Sequence, residues 1–282
     1  MAWGLAHGLN LRFTEEGSYM SEDLYETLPD VEAYLMRIGI REARDPSASF
    51  LDELINAHQR TVPFENLDIY ERGLVPSLGI ADLFEKVVIR KRGGYCFELN
   101  ALFGALLRSL GFEVQPCMAR VIFRPNPHPL ISHRANIVKI GLARYLADVG
   151  FGGPMPSFAP LIENGSNRTE RGHTFTIHRC DNYWWEVGYM GTKPDEQRVL
   201  RFCEMPVEEH DFVPLSFYQA QSPDSAFRLH RMVNVKTPDG AFDLRDGTFT
   251  VFNQGAKTSF DVEGDDELDR LLADRFGIVD WR

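Results

Sequence analysis

The chain has 282 residues, 44% hydrophobic and 25% charged, an ordinary globular make-up with length for one large domain or two to three small ones. Thirty Lys and Arg face 41 Asp and Glu, and the formal net charge of −11 argues against a nucleic-acid partner, which needs a basic stripe. No run of 18 apolar residues could span a membrane, and the N-terminus lacks the charged-then-apolar layout of a signal peptide.

Cysteines 96, 117, 180 and 203 are spaced for neither a disulfide framework nor a CxxC metal site, so a reducing cytoplasm and no metal are expected. A phosphate-bearing cofactor stays open, because backbone N–H groups and a few local cations can hold one.

The first third reads as helical. Pro29-Asp30 opens a stretch with Val31, Tyr34, Leu35 and Ile38 at helical spacing, ending at Gly39. Asp45-Pro46 starts a second, with Phe50, Leu51, Leu54, Ile55 and His58 on one face. Ser77 caps a third, through Phe84 and Val88, stopped by Gly93-Gly94. A fourth runs from Cys96 to Leu110 and ends at Gly111.

From Phe112 the pattern alternates: Val114, Met118, Val121 and Phe123, then Ile137-Val138, then Tyr145 to Val149. Further strand-like runs are 174–177, 183–187, 199–203, 227–235 and 248–252, while 152–171 and 191–198 read as loops. Residues 265–276 return to helix, with Leu268, Leu271 and Leu272 inward. Helices followed by strands and a closing helix make an α+β chain of two or three subdomains.

In Arg92-Gly93-Gly94-Tyr95-Cys96-Phe97-Glu98-Leu99-Asn100, two glycines allow a sharp turn and the cysteine falls in the first turn of a helix. Unpaired N–H groups and the helix dipole there favour a thiolate. A small buried hydrophobe is the commoner fate of such a cysteine, and that reading serves for Cys117, Cys180 and Cys203. A nucleophilic cysteine needs a base and a group to orient it. His133 stands at the entry to one apolar strand and Asp148 at the end of the next. If the two strands form a hairpin, the carboxylate lies near the imidazole. An aspartate at a strand end is also an ordinary turn former, and pattern alone leaves both readings open.

Three motifs in order carry a resemblance to the arylamine N-acetyltransferase family: VPFENLD (62–68), RGGYCFELN (92–100) and DVGFGG (148–153), with His133 upstream of the last. The resemblance implies an N-terminal helical bundle (28–112) carrying the nucleophile, a central antiparallel β-barrel (113–213) carrying His and Asp, and a C-terminal α/β lid (214–282), after an N-terminal extension (1–27). It implies a Cys-His-Asp site at the bundle/barrel junction, with Cys96 as nucleophile, His133 as base and Asp148 as its orienting partner. Acetyl-CoA would acylate Cys96, and an arylamine or hydrazine would take the acetyl group in a ping-pong cycle of xenobiotic metabolism. The Cys96 N–H would serve as an oxyanion donor.

Gly150, Phe151, Gly152 and Gly153 would border CoA, and Phe64, Phe151 and Phe227 the acceptor. Arg37, Glu65 and Arg92 match family charges and read as a network, two arginines on one carboxylate, bracing the cysteine loop. Monomer or homodimer are both compatible. Lack of a vertebrate-type insertion suggests a bacterial source. Glu15-Glu16-Gly17 before Met20 suggests that residues 1–19 are a translated leader. The rival readings are an amide synthase of the same fold, closing macrolactams from larger acyl thioesters, and a cysteine hydrolase.

Overall fold

A computed structural model describes residues 22–123, 127–191 and 195–282. The expected leader and the start at Met20 lie outside the described residues. Asp30 caps α1 (Val31–Arg37) by accepting from the Ala33 N–H, and Ser47 caps α2 (Ala48–Thr61) through Phe50 N–H, so the second helix begins just after Asp45-Pro46. A two-residue strand, β1 (Phe64–Glu65), and a short helix, α3 (Leu67–Tyr70), follow.

Gly79, rather than Ser77, precedes α4 (Ile80–Phe84), which widens into a π-type turn over Glu85–Ile89. The Ser77 hydroxyl instead accepts from Gly79 N–H and donates to Asp82. Helix α5 (Cys96–Ser109) is buried from Cys96 to Leu107, apolar nearly all round because elements cover both of its sides.

Among the described residues two antiparallel sheets form. The larger has the order β4-β3-β2-β8-β7-β6-β5, made of β2 (Glu113–Val121), β3 (His133–Ile140), β4 (Ala143–Ala147), β5 (Asn167–Glu170), β6 (His173–Arg179), β7 (Trp184–Met190) and β8 (Gln197–Cys203). It is a curled half-barrel, where the resemblance implied a β-barrel. The edge strand β4 meets the isolated residue Leu161 instead of closing onto β5. Pro116 sits in β2, and β8 pairs with that strand only over Ala119–Val121, beyond the residue that lacks an N–H.

The smaller sheet has the order β1-β9-β10-β11-β12, with β9 (Met232–Thr237), β10 (Gly240–Arg245), β11 (Thr248–Asn253) and β12 (Ala256–Asp261). The segment 227–235 is not one strand. Ser225 accepts from Phe227 N–H and turns Ala226–Leu229 into a helical turn, α7, before β9 begins. Helix α6 (Phe212–Gln221) precedes it, and α8 (Asp265–Phe276) buries Leu268, Leu272 and Phe276 against the small sheet, with Leu271 half-buried beside them.

Among the described residues the buried apolar side chains collect in three clusters, within the helices, inside the curl of the large sheet, and between the small sheet and α8. In the same residues no helix is long and apolar enough to cross a membrane. The α+β class is as expected. Strand β1 joins the first helical segment to the C-terminal sheet, through Phe64 opposite Asn234 and Glu65 opposite Val233, and this seam is where the candidate site lies.

Candidate active site

Gly93 has no room for a side chain: a Cβ there would stand 1.9 Å from Pro63 O. The close approach lets β1 run beside the turn, with Glu65 N–H donating to Gly94 O at 2.9 Å. Helix α5 then starts at Cys96, and Glu98 in its first turn accepts from the Tyr95 N–H.

Beneath this turn lies a buried knot of charge. Arg92 donates to Glu65 at 2.7 and 2.9 Å and to Asp68 at 3.2 Å. Lys86 Nζ sits 2.7 Å from both Glu98 and Asp68. Burial pushes the Glu98 carboxyl up to about 7; Lys86 opposes this, while Asp68 and Glu65 add to it. Asp68 is held down at about 2, because the attraction of Lys86 and Arg92 outweighs burial.

The expected pairing of two arginines on Glu65 is corrected here. Arg37 donates instead to the backbone carbonyls of Thr61, Val87 and Lys91, at 2.8, 3.0 and 3.3 Å. It still ties down the approach to the cysteine turn, but as a clamp on main chain. Lys86 is the second cation of the knot, and its sequence gave no signal beyond a basic residue within a helical run.

Strands β3 and β4 are hairpin neighbours with Asn136 opposite Ala147. His133 opens β3 and Asp148 directly follows β4, so the two side chains meet: His133 Nε2 lies 2.7 Å from Asp148 Oδ2. The Cys96 side chain acts electrostatically on His133, and its Sγ donates to Ser132 O at 3.8 Å. All three residues are buried. Burial disfavours the imidazolium, but Asp148 and Cys96 outweigh it and hold the His133 pKa well above the ordinary histidine range. Asp148 is itself held. Its Oδ1 accepts from Asn100 Nδ2 and from Gly150 N–H, both at 2.9 Å, and its backbone carbonyl accepts from Gln59 at 2.9 Å. Asn100 was not among the expected site residues, although its place one helical turn beyond Cys96, on the same face, was a signal; Gln59 carried none.

An aromatic group surrounds the cysteine turn. Phe64 and Phe227 have ring centroids 6.3 Å apart, Tyr95 packs edge-on to Phe227 at 5.3 Å, and Phe151 stands edge-on to His133 at 5.4 Å. Tyr95 was not among the expected wall residues. Asn66, of the VPFENLD motif, fixes Phe227 by donating to its carbonyl and to that of His230, both at 2.8 Å.

The glycines of DVGFGG are also crowded by the chain itself. A Cβ on Gly150 would meet Cys96 Cα and Asn100 at 2.8 Å, on Gly152 the Asn234 amide at 2.9 Å, and on Gly153 the Phe151 ring at 2.7 Å. Close packing of this chain on itself thus favours glycine at all three. Gly152 and Gly153 are exposed, whereas Gly150 is buried. Among the described residues no cluster of three or more His, Cys, Asp or Glu could hold a metal ion.

A family model described as N-acetyltransferase matches residues 48–280. The arylamine N-acetyltransferase of Mycolicibacterium smegmatis is 32% identical over 255 residues, covering 88% of this chain and 92% of the relative. The arylamine N-acetyltransferase / N-hydroxyarylamine O-acetyltransferase of Salmonella typhimurium is 32% identical over 256 residues, covering 88% of both chains. The solved structure of Mycobacterium marinum arylamine N-acetyltransferase in complex with CoA matches with a TM-score of 0.82 at 28% identity, over 89% of this chain and 93% of that one. By these matches the chain belongs to the arylamine N-acetyltransferase family, a family of acyl-transferring enzymes.

Proposed function

We propose that this chain is an acetyl-CoA-dependent N-acetyltransferase that acts on arylamines and arylhydrazines through an acetyl-Cys96 intermediate. The observation that carries the reading is His133 held between the Cys96 side chain and the Asp148 carboxylate at a buried helix start. One face of the imidazole is committed to Asp148, and the other is free to exchange a proton with sulfur. CoA in the M. marinum relative and the arylamine named for several relatives support donor and acceptor class.

In the first half-reaction the Cys96 thiolate attacks the acetyl carbonyl of the thioester. The carbonyl–sulfur bond of CoA breaks, and the CoA thiolate takes the proton held on His133 and leaves as the free thiol. In the second half-reaction the amine nitrogen attacks the acetyl group on Cys96 while His133 takes an amine proton. The Cys96–acetyl bond breaks, which restores thiolate and imidazolium and releases the amide. The Cys96 N–H, in the first turn of α5, stabilises the oxyanion in both halves. Phe64, Phe151 and Phe227 offer faces and edges for a flat aromatic acceptor, and the exposed main chain at Gly152 and Gly153 borders CoA. The four cysteines are all free, in keeping with a reducing cytoplasm.

Initial velocities measured over a grid of acetyl-CoA and arylamine concentrations test the reading. Parallel double-reciprocal lines, with turnover abolished in Cys96→Ser, are expected. Intersecting lines, or turnover that survives Cys96→Ser, contradict it.

A further inference from the structure

Helix α5 carries a second polar side chain on the face of Cys96. Asn100 lies four residues on, is 0% exposed, and both polar atoms of its side chain are engaged. Its Nδ2 donates to Arg134 O at 2.6 Å and to Asp148 Oδ1 at 2.9 Å. Its Oδ1 accepts from Val149 N–H at 3.0 Å, and its main-chain carbonyl accepts from Asn136 Nδ2 at 2.9 Å. One residue thus touches the strand of His133, the Asp148 carboxylate and the chain just after it, from the helix that presents Cys96.

The donor count makes this more than packing. Asp148 has two carboxylate oxygens and can turn either towards His133. Asn100 Nδ2 and Gly150 N–H both occupy Oδ1, which leaves Oδ2 to His133. Space has been cleared for it, since a Cβ on Gly150 would press on the Asn100 amide. An aliphatic side chain of similar size would leave Arg134 O, one lone pair of Asp148 and Val149 N–H buried without this partner.

We propose that Asn100 is a positioning residue of the catalytic group, fixing Asp148 so that one carboxylate oxygen addresses His133 and sustains the His133–Cys96 pair. The inference rests on the proposed roles of those three residues. The charged groups near them are the Arg134 guanidinium, which turns away to Glu209 at 2.6 Å, and Lys236 from β9, held at Met155 O and Ser157. Neither supplies the N–H that Asn100 gives to Asp148.

The test is the pH dependence of iodoacetamide inactivation in the full chain, for wild type, Asn100→Ala and Asn100→Asp, with thermal melting as the check on folding. Asn100→Asp keeps the shape and the acceptor for Val149 N–H but turns an oxygen towards Asp148. Wild type should still react at pH 6, because the His133 imidazolium that Asp148 holds favours the Cys96 thiolate. Both variants should shift the profile upward and lose at least about tenfold of the rate at pH 6, as the thiolate fraction falls. If Asn100→Ala does not fold, Asn100→Asp decides. A merely structural Asn100 predicts a wild-type profile in Asn100→Asp, and that result overturns the inference alone. A wild-type profile that rises only near the free-thiol range overturns the triad reading and this inference with it.

Discussion

His133 Nε2 lies 2.7 Å from Asp148 Oδ2 because β3 and β4 form an antiparallel hairpin whose register, Asn136 opposite Ala147, brings the residue after β4 diagonally near the first residue of β3. The strand register brings the two residues near each other, and the hydrogen bonds of Asn100 and Gly150 to Asp148 Oδ1 leave Oδ2 facing His133.

Asp148→Asn keeps this shape and changes the chemistry. The amide cannot stabilise an imidazolium as the carboxylate does, and it can present an N–H to the ring nitrogen. Turnover should fall by roughly 10³- to 10⁴-fold, with little change in melting temperature. A loss of less than tenfold would show that Asp148 is dispensable for orientation.

Gly150→Ala tests how tightly the loop after Asp148 is packed on Cys96. The new Cβ would lie 2.8 Å from Cys96 Cα, a backbone atom that cannot rotate away. We expect a loss of about 1–3 kcal/mol in stability and a turnover decrease beyond what that loss explains. Gly141→Ala is the control. It strains a residue at φ 62° with nothing within 4 Å, so it should cost stability and leave turnover alone.

Arg92→Met removes one of two cations from a buried knot holding Glu65, Asp68 and Glu98. Leaving those carboxylates to Lys86 should cost roughly 3–5 kcal/mol by urea unfolding. Arg44→Met, which breaks a half-exposed pair with Glu53, should cost about 1 kcal/mol or less. Equal costs would mean that burial of the knot does not matter.

Glu98 makes the same knot sensitive to pH. Its carboxyl is raised from 4.5 to about 7 in the folded chain, chiefly by burial, so between those values the native state binds the extra proton. The stability it contributes is fully present below about pH 4.5 and is lost as pH rises through about 7. His58, which burial holds down at about 3, acts in the opposite direction below its ordinary value of 6.5. Its effect is common to both proteins and cancels in a difference. Relative to wild type, Glu98→Gln should therefore gain stability from pH 5 to pH 8 in urea unfolding; a constant difference contradicts the assignment.

Much of this was legible because it is local. Asp30 and Ser47 cap helices whose apolar spacing is regular, and His133 and Asp148 bracket two alternating runs that had to form a hairpin to be useful. The three motifs named the family and the candidate site together. What stayed hidden lacked an apolar pattern or acted at a distance. Strands β5 (NRTE) and β12 (AKTSFD) are almost wholly solvent-facing, so no alternation marks them. The Ser225 cap breaks an apolar run that otherwise reads as one strand. Long side chains were the hardest to place. The charge of Arg37 suggested a carboxylate partner, yet its reach brings it to three carbonyls, and Lys86, 4.0 Å from Glu65, takes the position assigned to it.

The most direct test of the central claim is the intact mass of the protein after brief exposure to acetyl-CoA without an acceptor, beside Cys96→Ser. A gain of about 42 Da that requires Cys96 and disappears when an arylamine is added is the expected result of a covalent acetyl-enzyme cycle. No adduct on a Cys96 that still reacts rapidly with iodoacetamide would contradict acetyl-CoA as donor and favour a larger acyl thioester. No adduct on an unreactive Cys96 would contradict the nucleophile itself.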